Sequence, residues 1–361
     1  MKKIYVHVKN KKYPILIGFN IFKNKKIFSF FNKKKKILLI TNNVIKDLWL
    51  KHILNFFYSF DLKINIFVLK DGEKNKIIET SNDIITYLLK KKYGRDSLLV
   101  AFGGGVIGDI VGFTASIYQR GIPFIQIPTT LLAQVDASVG GKTGVNHILG
   151  KNMIGTFWQP ECVLININFL STLSRREYLS GMSEVIKYAI AFNKPFFFYI
   201  LKNIKKIIQL NSKVILKCIL KSCNIKSKIV AHDERELGNR ALLNLGHTYG
   251  HAIESYTKYK KFLHGESVSI GIIMAARTAI SLKKLNLNDF NLIIKIFKKI
   301  GLPVKFYHNI NVDKFIKYMY RDKKNILGNI RLVLPIAIGK SILIDKISTK
   351  IIKNSIKLTC K

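Results

Sequence analysis

Two histidines four residues apart, His247 and His251, lie in the stretch NLGHTYGHAIE at positions 244–254. Four residues are slightly more than one helical turn, so on a helix both rings project from the same face. Such a pair can bind a metal ion, as in the H-E-x-x-H zinc proteases, but this chain contains no His-Glu dipeptide. An isolated pair at this spacing is more often structural than metal-binding, so a metal site needs further ligands.

A third histidine and several acidic residues could complete such a site. His264 lies 17 residues after His247, and Glu184 lies in GMSEVIKYAI with Lys187 one helical turn later. Two histidines and a carboxylate, with open coordination positions, suit a catalytic zinc ion. Residue type alone does not choose the carboxylate, because three other glutamates are equally suitable, namely Glu236, Glu254 and Glu266.

A glycine-rich turn, AFGGGVIGD at 101–109, follows the apolar run Ser97–Phe102 and contains the pattern G-x-G-x-x-G. Its glycines allow the backbone to approach a pyrophosphate at a helix N-terminus. The standard dinucleotide fingerprint follows the first strand and has an acidic residue about 20 positions later. Here the turn follows the third predicted strand, and no acidic residue lies between Asp109 and Asp136. We therefore expect a cofactor pyrophosphate site, with Asp71–Lys76 as a second contact loop that supplies an acid.

The segment VGGKTG at 139–144 has some likeness to a nucleotide-binding P-loop. Asp136 stands where that motif requires its first glycine, so the P-loop interpretation fails. We predict instead a glycine turn that presents Lys142 beside Asp136, with Lys151 and Asn152 following closely. Two cations and an amide near a carboxylate suit a small phosphorylated or carboxylated substrate.

The elements that must position these residues change in character near residues 168–172. Before that point, β-rich runs alternate with helical runs such as Lys76–Lys92, which predicts a parallel sheet. The predicted strands are Lys36–Thr41, Ile64–Leu69, Ser97–Phe102, Phe124–Ile127 and Cys162–Ile167. After it, helical periodicity dominates, in Glu177–Phe192, Lys194–Leu210, Val214–His232, Gly246–Tyr256, Gly265–Leu285 and Asn288–Ile300, with one strand at Ile330–Ile338. We predict a Rossmann-like α/β domain at 1–170 and a mainly α-helical domain at 171–361.

The chain of 361 residues has a formal net charge of +40, which is typical of proteins that bind nucleic acids. However, only nine of its 61 basic residues are arginine, the residue that specific nucleic-acid readers favour, and the lysines are spread along the chain. A genome-wide compositional bias explains this pattern better than a basic nucleic-acid-binding protein, which needs clustered arginines and aromatic platforms. Four scattered cysteines, no signal-peptide pattern and no apolar run of membrane-spanning length predict a cytoplasmic protein.

Seven segments occur in one order along the chain: AFGGGVIGDIVGF, YQRGIPFIQIPTTLLAQVDASVGGKTGVN, LGKNMIG, GMSEVIKYAI, DERELGNRALLNLGHTYGHAIE, LHGESV and RDKKN. Together they resemble the 3-dehydroquinate synthase family in its bacterial single-function form, over essentially the whole chain. The resemblance implies that family's fold and a lyase reaction of the shikimate pathway, which leads to chorismate and the aromatic amino acids. The implied reaction converts 3-deoxy-D-arabino-heptulosonate 7-phosphate to 3-dehydroquinate and phosphate, by transient NAD-dependent oxidation at C5, phosphate elimination, reduction and intramolecular aldol closure.

The resemblance also implies a role for individual residues. One Zn²⁺ or Co²⁺ ion would be held by Glu184, His247 and His264, with His251 beside it as an acid, base or substrate contact. The cofactor NAD⁺ would be held by Asn42, Asp71, Gly72, Glu73, Lys74, Asn75, Lys76, Gly104, Gly105, Val106, Ile107, Gly108, Asp109, Thr129, Thr130, Lys142, Lys151, Phe169, Leu170, Ser171 and Thr172. Substrate binding and catalysis would use Asp136, Lys142, Asn152, Lys187, Lys226, Glu236, Arg240, Asn244, His251, Arg120 and one lysine of Asp322-Lys323-Lys324-Asn325. Arg120 would reach the site of a neighbouring subunit, so the resemblance implies a homodimer.

Two alternatives share the implied fold. One is another sugar-phosphate cyclase, such as a 2-deoxy-scyllo-inosose synthase, and the other is a metal-dependent alcohol dehydrogenase. A cyclase that acts on glucose 6-phosphate has no substrate carboxylate to bind, so the set Lys226, Arg240 and Asn244 argues mildly against it. The dehydrogenases typically bind their metal through an aspartate and histidines, and they lack the DERE…NLGHTYGHAIE arrangement.

Overall fold

The computed structural model describes residues 1–9, 11–31, 36–307, 310–320 and 330–360. Two compact units divide the chain: the first is Met1–Ser174 with Lys226–Arg235, and the second is Arg175–Ile225 with Glu236–Lys361. The sequence predicted one boundary near residue 170. It did not predict that Lys226–Arg235 belongs to the first unit. The candidate substrate segment Asp322–Asn325 lies outside the described residues.

Among its described residues, the first unit contains nine strands, and seven of them form one sheet. The strands are β1 (Lys2–Val8), β2 (Lys11–Gly18), β3 (Ile37–Asn42), β4 (Ile64–Leu69), β5 (Leu98–Gly103), β6 (Phe124–Pro128), β7 (Lys142–His147), β8 (Gly150–Phe157) and β9 (Cys162–Asn166). The sheet order is β1-β2-β9-β6-β5-β3-β4, and its pairs are parallel except for β1 with β2. The predicted α/β fold with a parallel sheet is confirmed, whereas the hairpins β1–β2 and β7–β8 were not predicted.

The central strands are mostly apolar and are buried along their whole length, because both faces of the sheet are covered. Alternate side chains point to opposite faces, so Leu39 and Val100 pack with one cluster while Leu38 and Leu99 pack with another. Helix α2 (Lys51–Tyr58), after the single turn α1 (Asn43–Ile45), covers the first face, and α3 (Ile78–Lys90) and α4 (Gly105–Ile117) cover the second. Continuous apolar runs are the expected signature of such a doubly covered parallel sheet.

The second unit is mainly helical, as predicted. Its helices are α5 (Arg175–Phe192), α6 (Lys194–Lys202), α7 (Ile204–Ile208), the part of α8 (Ser212–His232) that ends at Ile225, α9 (His247–Tyr256), α10 (His264–Ser281), α11 (Leu287–Ile300), α12 (Val312–Tyr320) and α13 (Thr349–Cys360). Its strands β10 (Leu332–Ala337) and β11 (Lys340–Ile344) form a hairpin. Within the described ranges, no helix is both long enough and apolar enough to cross a membrane. Helix α10 is buried around nearly its whole circumference, so it forms the centre of this unit.

Candidate active site

Three side chains of the second unit bring potential metal ligands together. Glu184 on α5, His247 at the start of α9 and His264 at the start of α10 place donor atoms within 4.8 Å of one another. The Nε2 atoms of His247 and His264 lie 3.6 and 3.7 Å from Glu184 Oε1. These separations are too long for hydrogen bonds. They suit donors that share one ion, since ligands at zinc-binding distance in a tetrahedral site lie about 3.3 Å apart.

The surroundings of Glu184 also fit a divalent cation. The residue is fully buried, and neither carboxylate oxygen accepts a hydrogen bond from the described residues, although Lys187 Nζ forms an ion pair with Oε2. A buried carboxylate is costly unless cations or donors compensate its charge. One oxygen and two imidazole nitrogens are the donor set of a catalytic zinc site with open coordination positions. These residues are therefore suited to hold Zn²⁺ or Co²⁺.

Helices α9 and α10 approach closely because glycines lie where they cross. A Cβ on Gly271 would stand 2.1 Å from the carbonyl oxygen of Gly246, and a Cβ on Gly250 would stand 3.2 Å from that of Ser267. Gly246 has φ 79° and directly precedes His247, which begins α9. This close packing sets the positions of His247 and His264, which begin the two helices.

Helix α5 meets α10 through a second close contact. Gly265 N–H donates to Ser180 Oγ at 3.0 Å, and a Cβ on Gly265 would stand 1.9 Å from the Ser180 carbonyl oxygen. Ser180 lies one helical turn before Glu184, and Gly265 follows His264 directly. The contact therefore places the carboxylate of Glu184 beside the ring of His264.

Replacing Gly265 with alanine is expected to displace these ligands from each other. The new methyl group would overlap main-chain atoms of Ser180, so the helices must move apart, at a cost of about 1–3 kcal/mol typical of overpacking. We expect a lower urea midpoint and weaker zinc binding in an equilibrium titration. Gly150→Ala is the control, since its methyl group would meet only the flexible side chain of Met153. Unchanged stability and zinc affinity in Gly265→Ala would contradict this account.

His251 lies beside the three donors without belonging to the group around Glu184. Its ring centroid is 5.5 Å from that of His247 and 6.2 Å from that of His264. It belongs instead to a second group of potential ligands with Glu254 and His264. This arrangement agrees with the interpretation in which one member of the His247/His251 pair is a ligand and the other is a neighbour, and that assignment stays a prediction.

Other predicted substrate residues of the second unit lie in or near the segment before α9. Asn244 Nδ2 donates to Glu236 Oε1 at 2.6 Å, and Arg240 is only 2% exposed. Arg240 and Asn244 belong to the short 3₁₀ segment Asn239–Asn244, and Glu236 has the unusual φ of 60°. A buried guanidinium and a left-handed non-glycine residue are both costly, and such features concentrate at functional sites.

In the first unit, most of the predicted cofactor residues lie at or after the carboxyl ends of five parallel strands. Asn42 ends β3, the loop Asp71–Lys76 follows β4, Gly104 follows β5, Thr129 follows β6, and the 3₁₀ segment Ile167–Thr172 follows β9. Ligands of open α/β sheets bind at this edge. The sheet therefore brings residues far apart in sequence to one edge.

The start of α4 is suited to bind an anion. Gly104 precedes it in an extended conformation, and α4 runs for 13 residues from Gly105. The first N–H groups of a helix have no partner within the helix and carry a partial positive charge. A Cβ on Gly104 would stand 3.1 Å from the Thr130 side chain, so a larger residue would crowd this surface. The predicted pyrophosphate contact Gly104–Asp109 thus coincides with a helix N-terminus.

Lys76 joins three predicted contact segments. It is 4% exposed, and its Nζ donates to Asp109 Oδ2 and to Asn152 Oδ1, each at 2.5 Å. Burial lowers the pKa of the Lys76 amine, but the negative charges of Asp109 and Glu73 together raise it by more. The pKa therefore lies above its ordinary value, and the amine stays charged. The lysine therefore ties the loop Asp71–Lys76 to α4 and to β8.

Sequence reasoning missed two residues that support this edge. Asn146 on β7 donates through Nδ2 to Glu73 Oε1 at 2.9 Å, and Trp49 Nε1 donates to Thr172 Oγ1 at 2.8 Å. Asn146 ends the segment YQRGIPFIQIPTTLLAQVDASVGGKTGVN that carries the family resemblance, and this was the available signal for it. No pattern in the sequence pointed to Trp49, because its partner is 123 residues away.

Lys226 and Asp136, predicted as substrate contacts, lie together in the first unit. Lys226 Nζ donates to the main-chain oxygen of Asp136 at 2.8 Å and to its Oδ1 at 2.5 Å. The predicted glycine turn is present as Gly140 and Gly141, with φ 99° and 66°, but it leads into β7, where Lys142 is exposed at the first position. The structure thus pairs Asp136 with Lys226. Lys142 begins a hairpin whose second strand carries Lys151 and Asn152, and its expected place beside Asp136 stays a prediction.

Two family models match this chain in succession. The model described as 3-dehydroquinate synthase N-terminal matches residues 66–180, and the model described as 3-dehydroquinate synthase C-terminal matches residues 181–325. A curated 3-dehydroquinate synthase from Buchnera aphidicola subsp. Cinara cedri is 51% identical over 356 residues, which cover 99% of this chain and 97% of the relative.

Solved structures with the same fold include two cyclases with bound cofactors. A 2-epi-5-epi-valiolone synthase from Streptomyces hygroscopicus subsp. jinggangensis, with NAD⁺ and Zn²⁺ bound, superposes with a TM-score of 0.89 at 23% identity and covers 98% of each chain. A 2-deoxy-scyllo-inosose synthase in complex with carbaglucose-6-phosphate, NAD⁺ and Co²⁺ superposes with a TM-score of 0.91 at 22% identity, covering 99% of this chain and all of the other. At these identities the likeness establishes the fold alone.

Proposed function

The chain belongs to the 3-dehydroquinate synthase family, and from this membership we propose that it converts 3-deoxy-D-arabino-heptulosonate 7-phosphate to 3-dehydroquinate and phosphate as a carbon–oxygen lyase. The structural observation that carries the proposal is the donor set of Glu184, His247 and His264 around a fully buried carboxylate. An open three-ligand site is the form that catalytic zinc takes, whereas structural zinc has four protein ligands.

The cofactors proposed are NAD⁺ and one Zn²⁺ or Co²⁺ ion, the groups present in the two cyclases with this fold. When bound, NAD⁺ accepts and returns a hydride, and the divalent metal acts as a Lewis acid on substrate hydroxyls. Glu184, His247 and His264 would hold the metal. The strand-end residues Asn42, Thr129 and Gly104, with the N-terminus of α4, would hold the dinucleotide.

The substrate carries both a carboxylate and a phosphate, so its binding requires several cations. Lys226 is held in place by Asp136, Arg240 is buried, and Lys187 lies beside Glu184. Fixed cations of this kind orient the substrate and stabilise developing negative charge without reorganisation. His251, next to the donor set, would transfer a proton, a role for which imidazole is suited near neutral pH, and Glu236 is the alternative group for this transfer.

The proposal is tested by incubating the purified protein with NAD⁺, Zn²⁺ and the heptulosonate phosphate, and measuring both phosphate release and product identity. We expect 3-dehydroquinate and an equal amount of phosphate, and loss of both when a chelator removes the metal. Glucose 6-phosphate is the control substrate. Turnover of glucose 6-phosphate in place of the heptulosonate phosphate would assign the chain to another sugar-phosphate cyclase.

We further propose that the protein works as a homodimer in the cytoplasm, with Arg120 acting in the neighbouring subunit's site. The four cysteines form no disulfide, which supports a reducing compartment. Arg120 is exposed and lies in a turn where Gln119, Arg120 and Gly121 have φ values of 47°, 65° and 119°. Two successive left-handed non-glycine residues are strained, and such strain is retained where a side chain must be presented in one position.

Mixing two inactive variants tests the shared site. Arg120→Ala and His264→Ala are expected to be inactive alone, yet a mixed dimer would contain one complete site. If the subunits exchange freely, half of the dimers are mixed, and about a quarter of the wild-type activity returns. A mixture no more active than its components, after exchange is verified with differently tagged chains, would contradict the role of Arg120.

A further inference from the structure

A second carboxylate lies on the other side of the His264 ring from Glu184. Glu254 on α9 is 3% exposed, and its Oε1 is 3.3 Å from His264 Nδ1. The other ring nitrogen, Nε2, is 3.7 Å from Glu184 Oε1. Two carboxylates thus face the two different nitrogens of one imidazole. We propose that Glu254 is a positioning residue that holds the His264 ring so that Nε2 is directed at the metal.

The chemistry of imidazole explains why such a partner matters. A neutral histidine carries its proton on one nitrogen and a lone pair on the other, and only the lone pair binds a metal. A carboxylate that accepts the Nδ1 proton selects the tautomer with the lone pair on Nε2, restricts rotation of the ring and makes Nε2 more basic. Glu254 is placed to do all three for His264.

The other proposed histidine ligand is arranged in the same way. His247 Nδ1 lies 3.2 Å from the main-chain oxygen of Leu245, and its Nε2 lies 3.6 Å from Glu184 Oε1. In both rings, therefore, Nδ1 faces a protein oxygen and Nε2 faces the buried carboxylate. Because both rings have the same orientation, the contact between Glu254 and His264 is better explained by a supporting role than by chance.

The position of Glu254 follows from the helix that carries it. His247, His251 and Glu254 lie at positions i, i+4 and i+7 of α9, so they share one face. His264 is the first residue of α10, so no turn of helix precedes it, and its side chain is 29% exposed. A ring at a helix start has more freedom than one within a helix, so it gains more from a buried partner.

The inference rests on the proposed metal site, and it is tested by binding rather than by turnover. Zinc affinity is measured for the full-length metal-free protein by competition with a chelator, and the cobalt form is followed by its visible absorption. We expect Glu254→Ala to bind one Zn²⁺ about 10–100-fold more weakly, as is usual when the outer partner of a ligand is lost. We expect the zinc affinity of Glu254→Gln to lie between those of the wild-type protein and Glu254→Ala, because an amide oxygen still accepts a hydrogen bond from Nδ1. The cobalt spectrum should change in both variants, which a purely structural role would not cause.

Glu266→Gln is the matched control. Glu266 lies in the same first turn of α10, but its carboxylate accepts from Arg176 Nε at 2.7 Å and from Leu263 N–H at 2.8 Å. Its replacement weakens the helix start without touching the His264 ring, so we expect wild-type zinc affinity. Urea unfolding of the metal-free proteins verifies that all variants fold.

Four results would overturn the inference. Wild-type affinity and cobalt spectrum in Glu254→Ala would show that the ring needs no such partner. An equal loss in Glu266→Gln would attribute the effect to fraying of α10. Loss of a second metal equivalent from Glu254→Ala, with the first unaffected, would make Glu254 a ligand with His251 and His264. Absence of metal binding in the wild-type protein would refute the metal site itself, and with it the proposed function.

Discussion

Replacing His264 with alanine is expected to remove bound metal and activity together. The proposed site has three protein ligands, and His264 Nε2 is one of the two imidazole nitrogens that lie near the buried Glu184 carboxylate. Loss of an outer partner typically weakens metal binding 10–100-fold, so loss of a ligand should weaken it by more than about 100-fold. Metal content after gel filtration, determined by elemental analysis, and phosphate release measure the two losses on the same sample.

His232→Ala is the control for this experiment. His232 is an exposed residue at the end of α8, and its Nδ1 contacts the main-chain oxygen of Lys228, so its loss should leave metal content and turnover unchanged. Full metal content in His264→Ala, with activity retained, would refute its assignment as a ligand. Metal content retained with activity lost would instead give His264 a catalytic role away from the metal.

Replacing His251 with alanine is expected to separate metal binding from turnover. Its ring lies beside those of His247 and His264, but it contributes no donor to the group around Glu184. Removal of a group that transfers protons typically lowers the rate 10²–10⁴-fold. We therefore expect kcat to fall by about 100-fold or more, while the variant retains most of its metal.

Two comparisons make the result decisive. The metal content of His247→Ala sets the level expected when a true ligand is lost, and equal loss in His251→Ala would mean that both rings bind the ion. Glu236→Gln tests the alternative proton-transfer group, whose carboxylate accepts a hydrogen bond from Asn244. If kcat falls in Glu236→Gln and not in His251→Ala, the role belongs to Glu236.

The sequence predicted the fold correctly wherever the local residue pattern favours the same element as the tertiary environment. The runs that became β3, β4, β5, β6 and β9 are mostly apolar, and the turn at 101–109 shows its glycines directly after such a run, so both are local patterns. The hairpin β1–β2 was missed because its first strand carries exposed lysines that disguise its alternation. The predicted helix Lys194–Leu210 is two helices, since Asn203 ends α6 and precedes α7.

The candidate site was harder to predict from the sequence, because its residues lie far apart along the chain and come together only in the folded structure. Spacing placed His247 and His251 on one helical face, but it could not tell which of four glutamates lies beside them. In the structure, three of the four have different partners. Glu184 is buried beside the Nε2 atoms of His247 and His264, Glu254 contacts Nδ1 of His264, and Glu266 forms an ion pair with Arg176. In sequence these glutamates look alike, since all lie on helices among apolar neighbours.

By itself, then, the sequence determined the strands and helices, the glycine turn and the family resemblance, because periodicity, turn chemistry and motif order are local or linear properties. Only the tertiary structure decided that Gly265 lets α10 approach Ser180, that Lys76 joins the loop after β4 to α4 and β8, and that Glu254 faces His264 Nδ1. Each of these contacts joins separate elements. Whether such side chains meet depends on how helices and strands pack, and no pattern of neighbouring residues encodes that distance.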